Sequence, residues 1–187
     1  MLEQQIKEEV REWSKHALEN PSPLFNNLPA CPYAKKAWSD DEVGFVFKTE
    51  SDNLPLYRTI AGFNDKYKLI LVVDLAYKKD PDEFEDFLYD LNEAIAEGMF
   101  AQKDMWVMGF HPDDDCEELL NDGSFSPLVD KSYAIIFVQR LKYLHEKAEA
   151  LKPLGYYDEA FKSAENNALY AQRETLYRRL INGNETT

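Results

Sequence analysis

Four side chains in this 187-residue chain combine reactive chemistry with positions where loops should meet regular structure: Cys31, His111, Asp113 and Arg140. His111 directly follows the apolar run Met105-Trp106-Val107-Met108-Gly109-Phe110, and Asp113 stands two residues on. An imidazole oriented by a carboxylate is the usual construction of a general acid-base. The competing reading is a histidine that closes a strand end and bonds locally. Cys31 precedes Pro32, with Lys35 and Lys36 about one helical turn later. A thiol at a helix N-terminus beside two cations is acidified and becomes a nucleophile. Its alternative is a small buried side chain that holds a loop down. Arg140 follows an aliphatic run and offers a planar cationic fork, either to an anionic ligand or to a surface carboxylate. Gathered at one sheet edge, the four would form a site for a small anionic ligand. Cys31 would be nucleophile or ligand, His111 acid-base, Asp113 its orienter and Arg140 the anion clamp.

The acidic run Asp113-Asp114-Asp115-Cys116-Glu117-Glu118 offers oxygens to a hard cation but lacks the alternation and central glycine of an EF-hand loop. The reading the sequence favours is a solvated acidic turn in which Asp115 caps a short helix from Cys116 to Leu120. A third reading places Zn²⁺ on Cys31, His111, Cys116 and an aspartate, since thiolate and imidazole suit that ion. No Gly-rich phosphate loop, CxxC pair, HExxH or GxSxG element occurs, so the sequence names no cofactor.

The elements that must position these residues are legible as periodicities. Leu2, Ile6, Val10, Trp13 and Ala17 mark an N-terminal amphipathic helix over about 1–19, stopped by Asn20-Pro21-Ser22-Pro23. An ordered loop over 20–40 follows, its apolar residues suited to packing against the body. Val43–Phe47, Leu69–Val73, Met105–Phe110 and Tyr133–Val138 read as four strands, with a short helix from Leu54 to Phe63. The clearest helix starts at Asp80, with Pro81 and Glu83 completing its first turn. It shows one apolar stripe (Phe84, Phe87, Leu88, Leu91, Ile95) and stops at Gly98. Helices from Gln139 to Leu151 and from Asp158 to Ile181 complete the order. Four strands with helices mainly on one face predict a single α+β domain, a two-layer sandwich with an extra C-terminal helix.

Composition sets outer bounds. With 35 acidic and 21 basic residues the formal charge is −14, which repels phosphate backbones and anionic lipid and makes nucleic-acid and membrane partners poor fits. No apolar run approaches the roughly 20 residues of a membrane span. The first residues lack the layout of a signal peptide, so the expected compartment is the cytoplasm, with both cysteines as thiols. Tyr156, Tyr157, Tyr170 and Tyr177 in or near the last helix suggest the alternative of an acidic, non-catalytic interaction protein, of host or phage type, that binds a protein partner through that helix.

Three segments in order resemble a bacterial family catalogued as domain of unknown function 1415. They are Asn27-Leu28-Pro29-Ala30-Cys31-Pro32-Tyr33-Ala34-Lys35, then Phe110-His111-Pro112-Asp113, then Arg140. The resemblance covers about residues 5 to 152. It departs from the family pattern in the extra Pro29-Ala30, in tyrosine for phenylalanine at 33, and in the acidic run after Asp113. It implies a site at these residues and no particular reaction.

Overall fold

The amphipathic N-terminal segment forms helix α1, Leu2–Trp13, with Ile6 and Val10 fully buried. The computed structural model describes residues 2–114, 128–160, 162 and 164–183. The expectations for Asp115, Cys116 and the short helix to Leu120 lie outside the described residues. After α1 the backbone widens into a π-helical turn, Ser14–Leu18. The Ser14 hydroxyl there accepts the Trp38 indole N–H at 2.9 Å and donates to Glu19.

The 20–40 segment is more ordered than a bare loop. Strands β1 (Pro21–Ser22) and β2 (Leu28–Pro29) pair antiparallel around a 3-10 turn, and helix α2 follows at Ala34–Ser39. Its apolar residues do pack inward: Phe25 stacks on Tyr156 at 4.8 Å, and the Tyr156 hydroxyl donates to the Ala30 carbonyl. The chain then runs β3 (Val43–Lys48), α3 (Leu54–Ala61), β4 (Leu69–Asp74), α4 (Pro81–Glu97), β5 (Trp106–Phe110), β6 (Ala134–Gln139) and α5 (Leu141–Leu151). The single last helix expected from the sequence is two, α6 (Tyr157–Ala160) and α7 (Ala164–Gly183).

The fold class is α+β, with a four-stranded mixed sheet in the order β3-β4-β6-β5. β3 and β4 are parallel, while β6 is antiparallel to both β4 and β5. β3, β4 and β5 therefore point the same way, and β6 alone runs back between them. The central position of β4 explains its unbroken aliphatic run. Ile70 and Val72 face α3 and α4, whereas Leu71 and Val73 face α1. Helices thus cover both faces of the sheet, α3 and α4 on one and α1 on the other, where the sequence predicts helices mainly on one face.

Helix α4 begins and ends as its sequence dictates. The Asp80 carboxylate accepts the Glu83 N–H at 3.0 Å, and Gly98 closes the helix at φ 101°. Asn92 on its buried face exchanges two hydrogen bonds with Val107, at 2.8 and 2.9 Å. Among the described residues β5 is an edge strand, and that side-chain amide takes the place of a strand partner for Val107.

Candidate functional site

Strand parity decides which side chains meet at the carboxyl end of the sheet. On β3, Gly44, Val46 and Lys48 share the face toward α3 and α4. On β4 the same face carries Ile70, Val72 and Asp74. Lys48 and Asp74 are register partners in the parallel pair, so two opposite charges end two adjacent strands side by side. The Lys48 ammonium donates to both Asp74 carboxylate oxygens at 2.9 Å. The two side chains are 2 % and 6 % exposed. Asp74 also accepts the Ala76 N–H at 3.0 Å, which fixes the turn out of β4.

His111 belongs to the same row. Val107, Gly109 and His111 alternate onto the α4 side, and β6 contributes only Ala134 between His111 and Asp74. Two inter-strand spacings put His111 roughly 10 Å across the sheet from Asp74. The imidazole is buried against Tyr77 and Phe84, at 5.0 and 5.5 Å between ring centres. Its Nδ1 accepts the Asp113 backbone N–H at 3.1 Å, which leaves Nε2–H to donate to the Lys78 carbonyl at 2.8 Å. The Asp113 carboxylate, expected as the orienter, is exposed, and it is the Asp113 backbone that bonds the ring. The function visible in this geometry is positioning: His111 ties the end of β5 to the β4–α4 loop.

Lys48, Asp74 and that loop line a cavity of about 50 Å³, together with Ser51, Asn53, Lys78 and Phe84. This volume holds a few waters or one small polyatomic ion. Both flanking helices begin at this end: Asn53 precedes the first turn of α3, and Asp80 caps α4. The positive dipole end of α3 adds to Lys78, while Asp80, Asp82 and Glu83 offset that of α4.

Cys31 and Arg140 lie at the opposite end. Arg140 follows the carboxyl end of the reversed strand β6, beside the starts of β4 and β5. Its Nε and Nη2 both donate to Asp65, at 3.0 and 2.9 Å, and its Nη1 donates to Gln102 at 2.7 Å. The guanidinium covers the Phe63 ring. It borders a wider cleft of about 200 Å³ with Tyr67, Lys68 and Tyr143, but its fork is engaged by protein acceptors. Cys31 sits near Tyr143 and Tyr156 and donates its backbone N–H to Leu18. Burial pushes its thiol pKa up, against the lowering effect of the Tyr33 and Ala34 N–H groups; Glu19 adds to the rise. Lys35 and Lys36 are exposed, and Lys36 is paired with Asp40, so the activation expected for Cys31 does not form.

The four residues read as one site are therefore split into two pairs at opposite ends of the sheet. Cys31 and His111 cannot share a proton or a zinc ion across that distance. Of the tyrosines suggested as a partner surface, Tyr156 is buried and Tyr177 is stacked on His145. Lys48 and Asp74 were not singled out in the sequence. Their signal was faint: each ends a strand on the parity of its buried aliphatic residues. No family model, no curated protein and no solved structure matches the chain.

Proposed function

We propose that the chain is a small-molecule-binding protein that takes a small anion, a carboxylate or a phosphate group, at the carboxyl end of its sheet. Lys78 supplies charge, Lys48 offers the N–H left over from the two it gives to Asp74, Ser51 and Asn53 supply polar contacts, and His111 holds the loop that carries Lys78. The observation that carries the reading is the buried Lys48–Asp74 pair facing a cavity between two parallel strand ends. Ligands of open α/β sheets bind outside the carboxyl ends of the strands. A buried ion pair, moreover, contributes little net stability over an apolar pair of the same volume, so stability alone gives weak reason to keep one.

Inorganic phosphate is the first probe, titrated by calorimetry into the wild type and into the double variant Lys48→Met/Asp74→Leu. Removing both charges together should leave the fold about as stable as the wild type, because neither is stranded. Saturable phosphate binding in the wild type that is lost in the folded double variant supports the reading. Equal binding by both proteins, or none by the wild type to phosphate or to a series of small carboxylates, overturns it.

A further inference from the structure

A separate cluster lies between α5 and α7 and takes no part in the anion site. His145 and Glu149 are four residues apart on α5, so they share a helix face, and Glu174 meets them from α7. Glu174 Oε1 is 3.0 Å from His145 Nδ1, whereas Glu149 Oε1 stands on the side of the other ring nitrogen, 3.8 Å from Nε2. One donor atom from each of the three lies within 4.8 Å of the others. The imidazole plane is held independently by Tyr177, which stacks on it at 3.6 Å and 13°. His145 and Glu174 are mostly buried, while Glu149 stands at the rim with its side chain 47 % exposed.

We propose that His145, Glu149 and Glu174 bind one first-row divalent transition metal ion, with Zn²⁺ the best match, and that the ion staples α7 to α5. One imidazole and two carboxylates are donors Zn²⁺ accepts, and three protein ligands leave its fourth position to water from the open rim. Ca²⁺ and Mg²⁺ prefer oxygen throughout, so the imidazole selects against them. Zinc bonds of about 2.1 Å place tetrahedral donor atoms roughly 3.4 Å apart. The His145–Glu174 pair is already near that spacing. The ion would then sit on Nδ1, so the exposed Glu149, which lies on the Nε2 side, must swing toward Nδ1; with the donor atoms within 4.8 Å of one another, the closure is at most about 1.4 Å. The cost is the Glu149–Lys152 ion pair, since the metal must displace Lys152; Arg173 also stands within electrostatic reach of Glu149. The site therefore competes with a built-in ammonium, and removing that ammonium should tighten it.

The test uses the full chain stripped with chelator, then titrated with ZnCl₂ by calorimetry and followed by thermal unfolding. The expected result is one Zn²⁺ per chain and a rise in Tm. Affinity should fall at least about tenfold in His145→Ala and in Glu174→Gln, stay unchanged in His16→Ala and increase in Lys152→Gln. Circular dichroism of the stripped variants checks folding; if His145→Ala does not fold, the near-isosteric Glu174→Gln carries the test. The proposal is overturned by the absence of saturable one-to-one binding. It is overturned equally by binding that neither variant weakens, because the ion is then held diffusely by the acidic surface.

Discussion

At the residue scale the charged pair and the thiol show opposite uses of burial. Lys48 and Asp74 are tolerated inside because each neutralises the other at 2.9 Å. Removing only Lys48 would strand a carboxylate and cost about 3–5 kcal/mol, which is why the double variant is the sounder probe of binding. Among the described residues no cation pairs with Cys31. Burial therefore favours its protonated form, and the thiolate, the reactive species, is scarce at neutral pH. We expect iodoacetamide to modify Cys31 slowly near pH 7 in a Cys116→Ser background. The rate should rise with pH to a midpoint above 9.0, the ordinary value for a thiol. A midpoint below that value, found by mass spectrometry of the alkylated peptide across pH, would restore Cys31 as an activated nucleophile.

At the element scale the site depends on how closely α4 lies on β5. A Cβ at Gly109 would fall 2.6–2.8 Å from the Phe84 ring and 2.7 Å from Leu88, and both side chains are buried with little room to retreat. Gly109→Ala should therefore destabilise the fold by about 1–3 kcal/mol, as overpacking does, read as a lowered urea midpoint. Because Phe84 packs on His111 and lines the cavity, the same variant should weaken phosphate binding if the proposed anion site exists. Wild-type stability in Gly109→Ala would contradict the close approach. The elements themselves were readable beforehand, since the β4 run and the α4 caps are local signals. Strand direction was not. His111 and Arg140 each follow a strand, but β6 is reversed between β4 and β5, and this places them at opposite ends. Lys48 and Asp74 carry only a faint local signal for a related reason: their burial follows from the β3–β4 register, and register is fixed by long-range pairing.

At the scale of the whole molecule, groups that resist ionisation are spread through the structure and act together at high pH. Burial is the leading cause of a raised pKa for Cys31, Tyr133, Tyr143, Tyr156 and Tyr157. Tyr133 is raised further because its hydroxyl donates to buried Glu9, which also accepts the Leu128 and Val129 N–H groups and so anchors the approach to β6 on α1. Each of these groups keeps its proton to higher pH in the folded chain than in the unfolded one, whose values lie near 9.0 for the thiol and 10.0 for the phenols. Between the unfolded and folded values the native state binds more protons, so stability falls as pH rises. The contribution is complete below about pH 9 and is lost as pH climbs through the folded values. The −14 net charge acts in the same direction, because each further ionisation adds to self-repulsion. Tyr133→Phe separates the two effects, since it leaves the charge at pH 7 unchanged and removes one titrating group. We expect the urea midpoint of the wild type to drop above pH 10, with part of the tyrosinate absorbance appearing only as the fold is lost. The variant, less stable at pH 7 for want of its bond to Glu9, should show a shallower drop. If all 11 tyrosines ionise near 10.0 while the circular dichroism remains native, the phenols are not buried as described and Glu9 does not hold Tyr133.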